Sequence, residues 1–304
     1  MSRRETSLTH VLTLVVAREG GSLTQPLLDA ACDLLRAGAP QVLSPGEAAD
    51  IPCRALDAGE LDRLRTTLRE LAGATPLDMV LTKARGRRKG LLVADMDSTI
   101  VTSETLDDLA AEAGLFEQVA AITKRSMNGE IDFAGALRER VGLLRGLELA
   151  ALDRVWAHTR LTQGAKTLVA TMRAHNALTA LVSGGFTAFT ARVAELCGFD
   201  LHRANVLHDD GAVLTGTVGE PILDRDAKLR TLEELTAQRR LKPAATLAVG
   251  DGANDLAMLG AAGLGIAFHA KPIVAAQIAN RIDHADLRAL LFAQGLASSA
   301  FAED

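Results

Sequence analysis

Two aspartates follow a short apolar run, and they are the residues of this chain best suited to chemistry. Asp95 and Asp97 come directly after Gly90–Ala94, a run typical of a buried strand in a parallel sheet. Carboxylates this close repel each other unless a cation holds them, and a hard, oxygen-seeking ion such as Mg²⁺ suits them. The spacing predicts a site where one carboxylate attacks phosphorus and the other transfers a proton.

Two more apolar runs end in polar residues. Leu178–Val182 leads into Ser183 and Gly184, and Thr246–Val249 leads into Gly250–Asp255, the sequence Gly-Asp-Gly-Ala-Asn-Asp. The carboxyl ends of parallel strands lie along one edge of a sheet, so we expect these residues to converge on the aspartate pair. A single ending of this kind is often only a helix N-cap. Three endings with matched chemistry indicate a functional site.

The elements that must position these residues begin with a small α+β unit over residues 8–83. Its predicted order is βαββαβ, the ferredoxin-like arrangement. The elements are a strand over Leu8–Ala17, a helix over Leu23–Ala37, strands over Gln41–Leu43 and Ile51–Leu56, a helix over Glu60–Ala72 and a strand over Leu77–Leu81. In the sequence, nothing catalytic stands out in this unit.

Four helix-length patterns follow the aspartate strand in place of a single crossover helix. They cover Thr102–Ala113, Glu117–Met127, Asp132–Leu143 and Glu148–His158, and glycines separate them. A helical bundle inserted directly after the catalytic strand would lie over its crevice, which is where a lid belongs.

The alternation of helices and strands resumes at about residue 161. The expected elements are helices over Ala165–His175, Ala188–Cys197 and Asp226–Gln238, a hairpin of Asn205–Leu207 with Val213–Val218, a strand over Gly265–Phe268 and a terminal helix from about Ala285. We therefore predict two domains, residues 1–84 and 85–304. The second is divided into a core, 90–101 and 160–304, and a helical cap, 102–159.

Composition and charge argue against several classes of function. The 304 residues are 48% hydrophobic and carry a net charge of −5, which gives no support for a nucleic-acid partner or an anionic membrane surface. No uncharged run reaches the roughly 20 residues of a membrane span, and the basic run Lys83–Lys89 is predicted as a solvated linker. The three cysteines form no paired motif, so we expect a soluble protein of the reducing cytosol, cytoplasmic in location.

Four motifs in order along residues 91–290 resemble those of the haloacid dehalogenase superfamily of phosphotransferases. They are DxDx[ST] at Asp95–Thr99, a serine at a strand end at Ser183, a lysine at Lys228 and GDGxND at Gly250–Asp255. The resemblance implies an α/β fold in which a Rossmann-like core with a parallel sheet carries an inserted helical-bundle cap. The α+β ferredoxin-like unit precedes this core.

Within that superfamily the chain resembles the phosphoserine phosphatases. The runs Val182–Phe186 and Ala227–Lys228 are similar to theirs, as are Glu104 shortly after the first motif and Arg140 in the third predicted cap helix. The resemblance implies hydrolysis of O-phospho-L-serine to L-serine and phosphate, the last step of serine biosynthesis. It also implies Mg²⁺ as the cofactor and an aspartyl-phosphate intermediate.

The resemblance assigns roles to the residues of these motifs. Asp95 is implied as the nucleophile and Asp97 as the proton donor and acceptor. Mg²⁺ is expected to be held by the side chains of Asp95 and Asp251 and by the backbone carbonyl of Asp97. The groups expected to bind phosphate oxygens are Ser183, the Gly184 N–H and Lys228.

The carboxylate and the ammonium of phosphoserine need partners of their own. A planar arginine forks onto a carboxylate, so Arg140 is the expected clamp, and Glu104 can pair with the ammonium. Asn254 is expected to orient Lys228 or the phosphate, and Asp255 to fix Lys228 or metal-bound waters. The residues implied to line the substrate pocket are Met127 and Phe133.

Two other functions stay open. An enzyme of the same superfamily could act on another small phosphomonoester, because cap residues choose the substrate. A phospho-accepting regulatory module also uses an aspartate, Mg²⁺, a serine or threonine and a lysine. Asp97 argues against that module, because a proton-transferring group beside the nucleophile promotes hydrolysis of the acyl-phosphate.

Residues 8–83 have two interpretations as well. Their element order resembles that of the ACT-like domains that precede some phosphoserine phosphatases, which implies amino-acid binding or a homodimer through this unit. A scaffold role accounts for the same order. The expected partner of the whole chain is the small-molecule substrate, with neither nucleic acid nor membrane.

Overall fold

The structure is a computed structural model that describes residues 8–127, 130–224 and 226–302, with Met127 described by its backbone alone. The strands, in chain order, are β1 (His10–Val16), β2 (Gln41–Ser44), β3 (Ala48–Cys53), β4 (Leu77–Lys83), β5 (Leu91–Ala94), β6 (Leu178–Phe186), β7 (Leu201–Asn205), β8 (Leu207–Asp209), β9 (Leu214–Val218), β10 (Thr246–Gly250), β11 (Leu264–Phe268) and β12 (Arg281–Ile282). The helices are α1 (Gln25–Leu35), α2 (Ala58–Ala72), α3 (Thr105–Glu112), α4 (Phe116–Met127), α5 (Phe133–Leu143), α6 (Ala150–His158), α7 (Ala165–Ala174), α8 (Thr187–Cys197), α9 (Ala227–Gln238), α10 (Leu256–Ala261), α11 (Pro272–Ala275) and α12 (Ala289–Phe292). Over the described ranges, no helix has both the length and the apolar character needed to cross a bilayer.

The first four strands form one antiparallel sheet in the order β2-β3-β1-β4. Leu12, Leu14 and Val16 alternate along β1 and pack in one core with residues of α1 and α2, as the period of two in a strand requires. Thr13 and Val15 therefore face away from these helices. The βαββαβ order predicted for residues 8–83 is confirmed, and this sheet order is that of the ferredoxin-like arrangement.

Six parallel strands form the second sheet, in the order β12-β11-β10-β5-β6-β7. Leu92 and Ala94 of β5 belong to the core that includes α7 and α8, whereas Leu91 and Val93 belong to the core that includes α9 and α10. Helices thus cover both faces, which explains why β5 is apolar at every position. The predicted α/β core with a parallel sheet is confirmed.

The helices α3 to α6 are inserted between β5 and β6, as the sequence predicts. The chain leaves and re-enters the core through two adjacent segments. Thr102 N–H donates to the carbonyl of Arg160 at 3.0 Å, and Thr162 N–H donates to the carbonyl of Ile100 at 2.9 Å. The inserted helices are therefore joined to the core by a narrow, hydrogen-bonded neck.

The hairpin β8–β9 differs from its prediction at one strand. Asn205, which we expected in the hairpin, instead ends β7 of the parallel sheet, and the first hairpin strand begins at Leu207. The hairpin packs on the inserted helices, where Gly146 N–H donates to the carbonyl of Leu214 at 2.8 Å. Pairing with neighbouring strands determines which sheet such a short strand joins. The local pattern of apolar and polar residues does not show this.

The terminal helix predicted from about Ala285 is wrong in its extent, because the α-helix covers Ala289–Phe292 and a 3₁₀ turn follows at Ser298–Ala300. The carboxylate of Asp286 accepts hydrogen bonds from the backbone N–H of Arg288 at 2.8 Å and from its guanidinium at 2.7 to 3.1 Å. These local bonds hold the preceding residues in a turn and delay the start of the helix.

The basic segment before β5 is a docking segment, which corrects the prediction of a solvated linker. The side chain of Arg87 is only 11% exposed and forms an ion pair with Asp50. Its guanidinium also donates to the Thr13 hydroxyl at 2.9 Å and to the carbonyl of Ala293 at 3.1 Å. The basic character of the segment predicted that it would be solvated. The helix-free face of the first sheet instead presents the buried carboxylate of Asp50 to Arg87.

A second buried carboxylate joins the two sheets. Asp78 of β4 accepts hydrogen bonds from the backbone N–H groups of Asp283, His284 and Ala285 at 2.8, 3.1 and 2.8 Å. Burial raises the pKa of Asp78, and these three bonds oppose the rise. The antiparallel sheet therefore packs against the rest of the chain through its helix-free face and its β4 edge.

Candidate active site

Three neighbouring strands end at one edge of the parallel sheet, each beside a predicted site residue. Asp95 follows β5, Ser183 lies near the end of β6, and Asp251 follows β10. Ala94 is level with Val249 of β10 and with Leu181 of β6, so the three strand ends are in register. The side chains of all three site residues are buried, and the convergence expected from the sequence is observed.

Lys228 reaches this edge from the first turn of α9. Its Nζ lies 2.7 Å from Asp95 Oδ2 and 2.6 Å from Asp255 Oδ1. Burial alone would lower the pKa of Lys228, but Asp255 and Asp95 raise it above its usual value. Burial, followed by the charge of Asp255, raises the pKa of Asp95 well above its usual value, and Lys228 only partly opposes this. One lysine does not balance two buried carboxylates.

Three buried carboxylates are close enough to hold one cation. Asp95, Asp251 and Asp255 each offer an oxygen within 4.8 Å of the others, and burial also raises the pKa of Asp251. A divalent cation would compensate the negative charge that Lys228 leaves over, and oxygen donors suit a hard ion. The donor set fits the predicted metal. The Asp97 side chain lies outside this cluster, consistent with the expectation that only its carbonyl would take part.

The side chain of Asp97 connects the core to the inserted helices. Its Oδ1 accepts the backbone N–H of Thr105, the first residue of α3, at 2.9 Å, and its Oδ2 accepts the Ser183 hydroxyl at 3.1 Å. Burial raises the pKa of Asp97 to about 6, the charge of Glu104 adds to the rise, and the two hydrogen bonds oppose it. An acid with a pKa near neutrality can both give and take a proton.

The segment after Ser183 is held from both sides. Gly185 N–H donates to the Ser183 hydroxyl at 2.8 Å, and Asn205 Nδ2 donates to the carbonyl of Gly184 at 2.9 Å. Phe133 of α5 lies over Gly184, since a Cβ there would come 3.3 Å from Phe133 Cζ. Phe133 therefore lies against the segment that is expected to bind phosphate.

Arg140 of α5 makes hydrogen bonds to neutral partners. Its Nε donates to the carbonyl of Ala136 at 3.2 Å and its Nη1 to the Thr123 hydroxyl at 3.4 Å. Burial lowers the pKa of Arg140, and the charges of Asp107 and Glu104 oppose this. Among the described residues it forms no ion pair, so its guanidinium can still receive a carboxylate ligand.

Glu104 is the N-cap residue of α3. Its Oε1 accepts the Ser98 hydroxyl at 3.0 Å and the Lys271 ammonium at 3.2 Å. The same Lys271 Nζ lies 3.1 Å from Asp251 Oδ2. Glu104 is thereby connected to the edge that carries the carboxylate cluster.

Two predicted residues have less defined positions. Asn254 lies in the short 3₁₀ turn Ala253–Asp255, which follows Asp251. Lys228 Nζ donates to Asp255 and contacts Asp95, so Asp255 lies where it could fix the lysine. The role of Asn254 toward Lys228 or the phosphate stays a prediction. The side chain of Met127 lies outside the described part of the structure.

Sequence reasoning missed three contributors to this site. Asn205 ends β7, and Lys271 lies three residues after β11, at the same edge of the sheet. The rule that found the first three strand ends applies to them as well, and it could have found both. Thr105 contributes a backbone N–H to Asp97, for which a side-chain pattern gives no signal.

Comparison with known proteins agrees with this geometry. A family model of haloacid dehalogenase-like hydrolases matches residues 90–263. A phosphoserine phosphatase of Streptococcus thermophilus is 45% identical over 199 residues, which cover 66% of this chain and 93% of that protein. A phosphoserine phosphatase of Archaeoglobus fulgidus is 43% identical over 223 residues, 72% of this chain, and this match spans 65% of the length of that relative.

A solved structure matches nearly the whole chain. A HAD family hydrolase of Salmonella enterica serovar Typhi aligns with a TM-score of 0.83 at 28% identity, over 96% of this chain and 99% of that one. The antiparallel unit and the parallel core thus occur together in a known protein. On the match of the family model and the nearly full coverage of the streptococcal relative, the chain belongs to the phosphoserine phosphatase family of haloacid dehalogenase-like hydrolases.

Proposed function

We propose that this protein is a cytosolic, Mg²⁺-dependent phosphoserine phosphatase, which hydrolyses O-phospho-L-serine to L-serine and phosphate in the last step of serine biosynthesis. The observation that carries the proposal is the bridge made by Asp97, which accepts hydrogen bonds from Ser183 of the core and Thr105 of the cap. That bridge supports a proton-transferring role beside the nucleophile. The printed function of relatives at 43–45% identity supports the substrate.

The first step transfers the phosphoryl group to Asp95. A carboxylate oxygen of Asp95 attacks phosphorus, the bond between phosphorus and the serine oxygen breaks, and that oxygen takes the proton of Asp97. Lys228, whose Nζ is 2.7 Å from Asp95, offsets the negative charge on the phosphoryl oxygens. When bound by Asp95 and Asp251, Mg²⁺ supplies further stabilisation of that charge.

The second step releases phosphate. Asp97, now ionised, takes a proton from a water molecule as the water oxygen attacks phosphorus. The bond between phosphorus and the Asp95 oxygen breaks, and phosphate leaves. Asp95 is again a carboxylate and Asp97 is again protonated, so the site is ready for the next substrate.

Two cap residues select the substrate. Arg140 has a partly buried guanidinium with neutral partners, and a carboxylate is the ligand that its planar fork suits. Glu104 is the N-cap residue of α3, where the chain enters the cap, and it pairs with the substrate's ammonium. Phosphoserine carries both groups, whereas sugar phosphates and phosphoethanolamine lack the carboxylate.

Substrate profiling with a matched pair of arginine variants tests the assignment. For Arg140→Ala we expect kcat/KM for phosphoserine to fall by about tenfold or more, with phosphoethanolamine little affected, because the lost contact is to the carboxylate. Arg138→Ala is the control, since Arg138 lies two residues away on α5 and pairs with exposed Glu220. Phosphate release is the measurement. Unchanged phosphoserine turnover in Arg140→Ala would favour another small phosphomonoester.

For residues 8–83 we propose a scaffold role. Support comes from Asp78 and Arg87, which tie the first sheet to the rest of the chain through buried contacts. Homodimerisation and amino-acid binding through this unit stay predictions. Sedimentation at several protein concentrations tests the first, and calorimetric titration of the full chain with serine and glycine tests the second. Heat at millimolar ligand, or a mass of two chains, would add these roles to the scaffold.

A further inference from the structure

Lys271 has no part in the reaction derived above, yet it is held firmly at the active-site edge. It lies on the loop after β11, the strand next to β10. Its backbone N–H donates to the carbonyl of Asp251 at 3.0 Å, and its Nζ lies 3.1 Å from Asp251 Oδ2. Both the backbone and the side chain of Lys271 are thus anchored to the same aspartate.

The same ammonium reaches the cap. Lys271 Nζ donates to Glu104 Oε1 at 3.2 Å, and the Ser98 hydroxyl donates to that oxygen at 3.0 Å. Two donors on one oxygen fix the orientation of the carboxylate. The other oxygen, Oε2, accepts no hydrogen bond from the described residues, and it remains available for a cation.

Glu104 needs such support because of its position. Its side chain is 45% exposed, and it belongs to the N-cap residue of α3, directly after the neck that joins cap and core. A glutamate side chain that is free in water loses rotamer entropy when it is fixed by a ligand. A contact that orients it beforehand removes part of this cost.

The charge of Lys271 does not cancel this benefit. The Lys271 side chain is 54% exposed, so water weakens its repulsion of a second ammonium. The hydrogen bond to Glu104 depends on direct contact and keeps its geometry. The balance between the two effects favours support over repulsion.

We propose that Lys271 is a positioning residue for substrate specificity: it holds Glu104 by one carboxylate oxygen so that the other receives the ammonium of the substrate. The inference rests on the proposed function and extends it to a residue of a fourth strand end. It assigns to Lys271 the preference for phosphoserine over an analogue of equal length that has a hydroxyl in place of the ammonium. 3-Phosphoglycerate is that analogue.

Binding to a variant without turnover tests the proposal apart from catalysis. In an Asp95→Asn background with saturating Mg²⁺, calorimetry gives the Kd of phosphoserine and of 3-phosphoglycerate. Adding Lys271→Met should raise the Kd of phosphoserine about tenfold, which corresponds to 1.4 kcal/mol, and leave that of 3-phosphoglycerate within about twofold. Lys271→Arg, which keeps the donor, should restore most of the affinity. Lys242→Met, at an exposed lysine before β10, is the matched control and should change neither constant.

Other outcomes would overturn the inference. Equal weakening of both ligands would mean that Lys271 acts on the fold or on the phosphate, and tighter phosphoserine binding would mean that it obstructs the ammonium site. Mn²⁺ affinity, measured by electron paramagnetic resonance on the single Lys271→Met variant, should stay within about twofold of wild type, because water screens the charge of this half-exposed lysine at Asp251. A tenfold change there would show that Lys271 serves the metal instead. If the wild type does not hydrolyse phosphoserine at all, the proposed function fails, and that result is separate from any of these.

Discussion

At the scale of single residues, the account depends on the different surroundings of two neighbouring aspartates. Asp95 contacts Lys228 and belongs to the carboxylate cluster, whereas Asp97 accepts hydrogen bonds from the Ser183 hydroxyl and the Thr105 backbone N–H. A divalent cation held by the carboxylate cluster, together with Lys228, would favour an ionised Asp95, whereas burial without a neighbouring cation favours a protonated Asp97. The two proposed roles would therefore follow from environment, since the residues are of the same type.

The raised pKa of Asp97 can be measured in the metal-free protein. Burial raises it from 3.8 to about 6, so the native state binds more protons than the unfolded state between these values. The stability contribution of Asp97 is thus fully present below about pH 4 and is lost as the pH rises through about 6. Carbon-13 NMR of the side-chain carboxyl groups, assigned with Asp97→Asn, should show this titration. A midpoint at or below pH 4 would contradict it.

At the scale of elements, close packing of backbone fixes the loops that carry the site. Gly265 lies in β11, where an added Cβ would come 2.0 Å from the carbonyl oxygen of Leu259 in α10. Backbone atoms cannot give way as a side chain can. The loop of Lys271 follows this strand directly, so the spacing between α10 and β11 determines where that loop begins.

Gly265→Ala should therefore lower the free energy of unfolding by about 3 kcal/mol, because α10 and β11 must separate. Gly260→Ala is the control within the same segment: Gly260 lies in α10, and an added Cβ there meets nothing within 4 Å. It should be neutral or stabilise by up to about 1 kcal/mol, since alanine favours helix. Denaturant unfolding measures both. Equal effects of the two substitutions would refute the close approach.

The sequence predicts most of the elements because their signals are local. The apolar run of β5 and the polar residues after β6 and β10 are visible without a structure, and they locate Asp95, Ser183 and Asp251. Lys271 was missed because it lies three residues beyond the end of β11, farther from its strand than Asp95 or Asp251. The sequence groups Asn205 with Leu207 in one predicted hairpin strand. Its pairing with Phe186 of β6 shows that it belongs to the parallel sheet.

At the scale of the whole molecule, polar contacts join the first sheet to the catalytic part. Asp78 and its partner Asp283 are 205 residues apart in the sequence, and so no local pattern pairs them. The same is true of Arg87 and the carbonyl of Ala293. A basic run and an isolated acid in a strand both suggest surface positions, and they acquire partners only when the two sheets meet.

The Asp78→Ala variant tests how much this docking stabilises the protein. Three backbone N–H groups lose their acceptor, so the free energy of unfolding should fall by about 3 kcal/mol. Asp62→Ala is the matched control, since the Asp62 side chain is 76% exposed, and it should change stability by less than about 0.5 kcal/mol. Fluorescence of Trp156, the single tryptophan, reports unfolding of the catalytic part. A loss no larger than in the control would mean that docking contributes little.

The central claim is that Asp95 becomes phosphorylated and that water then hydrolyses the aspartyl phosphate. Phosphate release from phosphoserine over many turnovers tests it most directly, measured for the wild type and for Asp95→Asn with Mg²⁺ and with the metal removed by a chelator. We expect sustained release from the wild type only with the metal, and at least about a thousandfold less from Asp95→Asn, because the variant lacks the carboxylate that accepts the phosphoryl group. Undiminished turnover by Asp95→Asn, or a single stoichiometric labelling of the wild type without release, would contradict the account.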